Sequence, residues 1–326
     1  MSQEFYETDT ASARHVVDRA VSLWNIDGPA RLLKRLENYT YEAGSEGRER
    51  IIRVTEDSHR TIAELEAELD WVRFLSEQGV SVSGPLPSKD GNLAEIFDIE
   101  DGPLHVSVFT KAPGRPLQFS MDWNPYFHRR LGELVGKMRS AARIYQPSEG
   151  IQKRKSWLND MRYIGQFIPE RETIARREFD EVVEWASSLE TSRDTFGLVH
   201  THIHHSNYFG DDSGGVTVFD FDDAHYNWFA YGLSVPMFYA VLSFDLPSMD
   251  ATKQDWFYGP YLGGYTQHMD ISDEWIKRIP EFVRFRRIDL FAFICKELDI
   301  DDLTDDWDVK AMRRIREGFL VREPLV

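Results

Sequence analysis

Between Leu198 and Tyr226 the chain reads LVHTHIHHSNYFGDDSGGVTVFDFDDAHY, which holds five histidines and five aspartates. Imidazoles and carboxylates move protons and bind metals near neutral pH, so this segment is where chemistry is expected. By periodicity Phe196 to His200 and Gly215 to Phe221 are short apolar strands, and GDDSGG between them is a polar turn, which together read as a β-hairpin. His200, His202 and His204 alternate, so a straight strand would put all three on one face. There Zn²⁺, with Asp220 as fourth ligand, would make a metal-dependent hydrolase. A second pattern crosses the first: Asn207 stands five positions after His202, and Asp220 thirteen after Asn207.

The elements that must position these residues fall into two groups. ASARHVVDRAVSLW reads as a short helix, RLLKRLENYTYEA as two strands meeting near Glu37 and Asn38, and RERIIRVTE as a third beyond the turn GSEG. In HRTIAELEAELDWVRFLSEQG, Ile62, Leu65, Leu69, Val72 and Leu75 recur at helical spacing and Gly79 gives the stop. NLAEIFDIE and LHVSVFTKA are strands on either side of EDGP, and PGRPL reads as a linker. Beyond Pro116 the patterns are helical: YFHRRLGELVGKMRSAARIY, REFDEVVEWASSLE, then Trp- and Phe-rich helices of which the last closes at Arg316 to Leu320. The expectation is an α+β fold of two lobes, residues 1–112 and 113–326, with a cleft between them.

The order His202, Asn207, Asp220 has the spacing of the kinase catalytic loop, where an aspartate, an asparagine and a second aspartate follow one another. At these residues the chain resembles the aminoglycoside phosphotransferase and choline kinase family, whose loop reads roughly H-G-D-x-H-x-x-N and whose metal strand reads roughly I-D-F-x-D. Here the loop is His200-Thr201-His202-Ile203-His204-His205-Ser206-Asn207 and the strand is Phe219-Asp220-Phe221-Asp222-Asp223. With the order of elements, the resemblance extends from about Arg31 to about Leu290. It implies a protein-kinase-like fold and ATP-dependent phosphorylation of a small-molecule hydroxyl. It places Arg53 at the ATP phosphates with Glu68 as its helix partner, Phe109 to Lys111 at the adenine, and Asn38 with Tyr39 on the turn over the phosphates. Asn207 and Asp220 are the implied Mg²⁺ ligands, one amide and one carboxylate for a hard cation. Asp222, two positions along the same strand face, reads either as a second metal contact or as a carboxylate that only solvates a turn.

The departure from the family is His202, which stands where an aspartate accepts the substrate's proton. General-base contributions are about 10² to 10⁴ in rate, and a neutral imidazole is itself a base. A slow phosphotransferase is therefore expected, with a nucleotide-binding pseudokinase as the competing reading and the His-rich hydrolase behind both. Two further departures are Thr201 for glycine, which reads as harmless, and Gly232 for an aspartate, which removes an anchor beneath the loop. His200 and His204 read as loop scaffolding, His205 and His225 carry no role, and Trp228 and Tyr231 are core residues that also suit a substrate wall.

Composition bounds the rest. At 326 residues and 42% hydrophobic content the chain suits one large core or two ordinary ones. A net charge of −17, with no long Lys/Arg run, speaks against nucleic acid or an anionic membrane as partner. The uncharged run Asn227 to Phe244, broken by Gly232, Ser234 and Pro236, is too short for a comfortable span and reads as a buried helix. The acidic MSQEFYETDT start has no signal-peptide pattern, and the single cysteine, Cys295, lies in apolar FAFICKEL. Both fit a cytoplasmic protein with a buried thiol. The acidic stretch DDLTDDWD reads first as a solvated face. The sequence is silent on substrate identity and oligomeric state.

Overall fold

The structure is a computed structural model that describes residues 11–35, 37–117, 122–243 and 254–320. MSQEFYETDT and Phe244 lie outside the described residues. Helix α1 (Ala11–Leu23) precedes β1 (Ala30–Arg35), β2 (Asn38–Ala43), β3 (Arg50–Glu56), α2 (Ile62–Glu77), β4 (Pro85–Leu86), β5 (Ala94–Ile99) and β6 (Gly102–Thr110). These strands form one antiparallel sheet in the order β1-β2-β3-β6-β4, with β5 also on β6. Strand alternation puts Tyr41, Ile52, Val54, Val106 and Val108 on one face, where they pack with Val16, Val17 and Ala20 of α1. The other face, carrying Arg53 and Phe109, is covered by α2.

Helix α2 runs where the periodicity predicts. Thr61 and Glu64 close a reciprocal capping box, Glu64 N–H donating to Thr61 Oγ1 at 3.3 Å and Thr61 N–H to Glu64 Oε2 at 3.0 Å. Gly79, at φ +74°, ends it: Val80 N–H reaches back to Leu75 O and Gly79 N–H to Ser76 O, both at 3.0 Å. The helix therefore presents Glu68 beneath β3 at a fixed register.

The C-terminal part is mainly helical. It comprises β7 (Arg115–Pro116), α3 (Pro125–Ala142), α4 (Trp157–Gly165), α5 (Thr173–Ser187), β8 (Phe196–Val199), β9 (Tyr208–Gly210), β10 (Val216–Val218), β11 (His225–Trp228) and α6 (Phe229–Ser243). A wide turn at Gln254–Tyr258 then leads into α7 (Gly259–Tyr265), α8 (Asp273–Lys277), α9 (Ile279–Glu297) and α10 (Asp306–Leu320). Its core is aromatic: Trp228, Tyr231, Phe282, Phe285 and Phe291 are fully enclosed, so Trp228 and Tyr231 are packing residues. Among the described residues no helix is long and apolar enough to cross a membrane. In DDLTDDWD, Asp305 caps α10 by accepting from Trp307 N–H at 2.9 Å, and Asp301 pairs with Arg171. Cys295 is half-buried in α9, and burial pushes its thiol up to about 11, away from nucleophilic use.

Three local expectations need correction. The apolar runs on either side of GDDSGG do not pair with each other. β8 pairs with β11, Val199 opposite His225, while the hairpin around GDDSGG is β9 with β10. The cause is backbone handedness: Thr201 (φ +66°) and Asp220 (φ +68°) each turn the chain out of a strand path. PGRPL is not a free linker either. β7 adds to β9, and Gly114, at φ +85°, passes so close that a Cβ there would lie 2.0 Å from Gly210 O. Finally, the run from Asn227 begins in β11 and becomes helical only at Phe229.

Candidate functional site

The positive-φ bends bring the catalytic-loop segment and the Asp220 segment side by side. His200 donates from Nε2 to Phe219 O at 2.9 Å, because a carbonyl only accepts. Its Nδ1 is then free to accept the His202 N–H at 3.3 Å. Asn207 fastens both segments: its side-chain amide donates to His202 O at 3.0 Å, and its carbonyl accepts from Phe219 N–H at 3.0 Å. Asn207 Oδ1 makes no hydrogen bond among the described residues. Asp220 opens to the cleft and makes neither hydrogen bond nor ion pair among the described residues. The protein packed around its carboxyl nevertheless holds its pKa above the usual carboxylate range, with the Lys34 ammonium opposing. An unpartnered amide oxygen and an unpartnered carboxylate are a donor set that fits a hard divalent cation.

Thr201 is not a harmless change. A left-handed backbone costs an L-residue about 1–2 kcal/mol, and a β-branched one is crowded there. Its Oγ1 donates to Asp223 O at 3.1 Å, an anchor glycine cannot make.

The next two carboxylates face different partners. Asp220 to Asp223 do not form a strand, so the argument that placed Asp222 on the face of Asp220 does not hold. Asp222 accepts from His59 Nε2 at 2.7 Å, Arg60 Nε at 3.2 Å and Asn38 Nδ2 at 3.4 Å. Against the upward push of burial, the His59 hydrogen bond and the Arg60 charge hold its carboxyl well below the usual range. Arg60 also reaches Asp223 Oδ1 at 2.9 Å, and buried Arg154 grips Ala224 O at 2.7 Å, Glu64 O at 3.0 Å and Asp222 O. The loop before α2 is thereby tied to the Asp220 segment. Glu37, close to His59 and Asp222, has its pKa raised to about 7 by burial and then by Asp223.

On the sheet side, Arg53 and Glu68 meet in a bidentate pair at 2.9 and 2.7 Å, both buried, with the guanidinium 5.1 Å over the Phe109 ring. Asn38 opens β2 and accepts from Thr55 Oγ1 at 2.6 Å while reaching Asp222. Tyr39 is buried in the sheet core under Arg35. Lys111 pairs with Glu42 at 2.6 Å. Lys34, beside the bulge in β1, lies near enough for its charge to oppose the rise at Asp220 and add to the fall at His202.

The histidines do not form a zinc face. Thr201 breaks the extended path, His200 is bonded to backbone, and among the described residues the only convergent ligand atoms within 4.8 Å are those of Glu37, His59 and Asp222. The His202 and His204 rings lie tilted against each other with centroids 4.4 Å apart, and His204 lies 4.9 Å from the Tyr239 ring. Behind them Arg286 bonds Tyr239 Oη at 2.6 Å and pairs with Asp289, which also accepts from Tyr231 Oη at 2.8 Å. Burial, then the Arg286 charge, holds the His202 imidazole well below its ordinary pKa, so it is neutral at pH 7. At Gly232 a Cβ would lie 3.1 Å from Val199 Cγ1, so α6 packs on β8 where an anchoring aspartate would need room.

Sequence reasoning missed Lys34, His59, Arg60, Glu37, Arg154 and Arg286. For the first three the signal was present as basic residues in β1 and in the loop before α2. Their partners lie more than 150 positions away, however, and periodicity carries no such information.

The profile of the phosphotransferase enzyme family matches residues 30–264. An amicoumacin kinase of Bacillus subtilis (strain 168) is 31% identical over 280 residues, which cover 85% of this chain and 82% of the relative. A solved amicoumacin kinase, in complex with AMP-PNP, Ca²⁺ and Ami, superposes with a TM-score of 0.85 at 28% identity, covering 97% of this chain and 96% of that one. A microcompartment-associated aminopropanol kinase has the same fold, with a TM-score of 0.76 at 22% identity over 94% of this chain and 96% of its own.

Proposed function

The chain belongs to the phosphotransferase enzyme family, the small-molecule kinases, and on that premise we propose that it transfers the terminal phosphoryl group of ATP to a hydroxyl of an amicoumacin-like or amino-alcohol substrate. The observation that carries this reading is the unpartnered pair Asn207 and Asp220, on segments joined by the Phe219 N–H bond to Asn207 O. We assign Mg²⁺ to them; bound there, it would neutralise charge on the transferring phosphate. Asp222 would serve as a second carboxylate only by giving up His59, Arg60 and Asn38. Arg53, oriented by Glu68, and Lys34 face the phosphates. Asn38, which opens β2, lies beside the turn that covers them, Tyr39 packs in the sheet core instead, and Phe109 to Lys111 serve the adenine. His202 receives the hydroxyl proton. The lobes divide at 112/113, just before β7 joins the sheet of the helical part.

Calorimetry with a non-hydrolysable ATP analogue tests this. The unaltered protein should bind it more tightly with Mg²⁺ than without, and Asp220→Ala should lose that metal-dependent gain, about tenfold or more, while keeping metal-free binding. No nucleotide binding at millimolar concentrations would sink the proposal. A pseudokinase, which binds nucleotide without transfer, is the second reading; His202 and the crowded Gly232 favour it.

A further inference from the structure

Asp223 has the least conventional surroundings in the cleft, and they point at His202. Its backbone carbonyl is held by Thr201 Oγ1 at 3.1 Å, the bond that accompanies the strained φ of Thr201. One carboxylate oxygen, Oδ1, is taken by Arg60 Nη2 at 2.9 Å. The other, Oδ2, lies 3.8 Å from His202 Nδ1. That is longer than a hydrogen bond, but catalytic hydrogen bonds are commonly long before substrate binds and tighten in the complex. Both ends of Asp223 are thus fixed by residues that leave Oδ2 toward the imidazole. About a quarter of the His202 side chain, 28%, remains open to the cleft.

We propose that Asp223 is the positioning residue for His202: its Oδ2 accepts the Nδ1 proton, which leaves Nε2 bare and aimed at the substrate hydroxyl. The inference rests on the phosphotransferase reading above. A neutral imidazole has one proton and two nitrogens, and the hydrogen bond at one nitrogen decides which lone pair is available at the other. His202 Nε2 takes the hydroxyl proton as the hydroxyl oxygen bonds to the terminal phosphorus. The bond from phosphorus to its bridging oxygen breaks, and that electron pair leaves with the nucleoside diphosphate. The imidazolium that forms sits against the Asp223 carboxylate and afterwards releases its proton to solvent. Thr201 and His202 then work together, the first bringing Asp223 to the second. The aspartate that the family carries at position 202 would need no such partner.

The experiment has two readouts. Long-range ¹H–¹⁵N correlation of imidazole nitrogens in the unaltered protein should show His202 as the Nδ1–H tautomer. In Asp223→Asn, whose amide offers a donor as well as an acceptor, that preference should be lost. The Nε2–H tautomer in the unaltered protein overturns the proposal without any variant having to fold. In turnover, Asp223→Asn should lower kcat about tenfold with little change in KM. The same substitution in a His202→Asp background should change kcat less than twofold. Equal losses in both backgrounds would make Asp223 a structural residue and overturn the proposal. So would His202→Asn with undiminished turnover, which would make Asp223 itself the base. If the tautomer is as expected and no protein transfers phosphate, the phosphotransferase reading fails and the positioning geometry stands.

Discussion

Replacing His202 by aspartate is expected to raise kcat on a true substrate by roughly 10² or more, the low end of what a well-placed general base contributes. The frame that an aspartate needs is already in place. Asn207 holds the residue 202 carbonyl, His200 holds its N–H, and Asp220 waits unpartnered across the cleft. What the imidazole lacks is negative charge beside the attacking oxygen. Burial and Arg286 keep it neutral and weakly basic, its pKa well below 6.5. The unaltered enzyme should therefore be slow, with a rate that holds through neutrality and falls only at a pH well below the ordinary imidazole range, as His202 takes up a proton and can no longer accept one. A paired screen of the two proteins over one substrate panel checks this. Nucleotide binding without turnover in either protein would favour the pseudokinase. Faster turnover in the unaltered protein would mean that histidine is the better base in this cleft.

Acidification from pH 6.5 toward 4 is expected to cost the fold a large share of its stability, led by one buried histidine. His128 lies enclosed among Trp123, Trp256 and Phe257, with Nδ1–H donated to Trp256 O at 2.8 Å, and burial lowers its pKa to about 4. In the unfolded chain it titrates near 6.5. Between these values the unfolded state binds a proton that the folded state refuses, so stability falls with pH. A shift from 6.5 to about 4 is worth up to about 3 kcal/mol. His200 and His225, buried and shifted the same way, add to it. Glu37, raised to about 7, and Asp220, raised above the ordinary carboxylate range, work in the opposite sense and offset part of the loss. Against a total of about 5–15 kcal/mol for a typical domain, urea midpoints should drop steeply below pH 6.5, and His128→Asn should reduce the slope by about one proton. A flat midpoint from pH 7 to 5 would show these histidines to be protonated in the fold.

How legible all this was depended on the range of the interaction. The sheet strands and α2 follow from local alternation and from a capping box that spans four residues, and the structure places them where the periodicity does. The same periodicity identified apolar runs around GDDSGG but paired them wrongly, because the sign of φ at Thr201 and Asp220 is invisible in residue types that normally avoid that region. Asn207 and Asp220 were found through motif spacing. That spacing said nothing of Asp222 turning to His59 and Arg60, or of Asp223 lying beside His202. Those contacts come from the closure of the sheet region onto the helical part.

Phosphorus NMR of the unaltered protein with ATP and Mg²⁺, against a panel of amicoumacin-like compounds and amino alcohols, tests the central claim most directly. The account predicts a slow new phosphomonoester signal that appears with an equal amount of ADP, requires both the metal and one particular hydroxyl compound, and is absent in Asp220→Ala. ATP that stays bound with no phosphomonoester formed on any compound, in the unaltered protein and in His202→Asp alike, would contradict it.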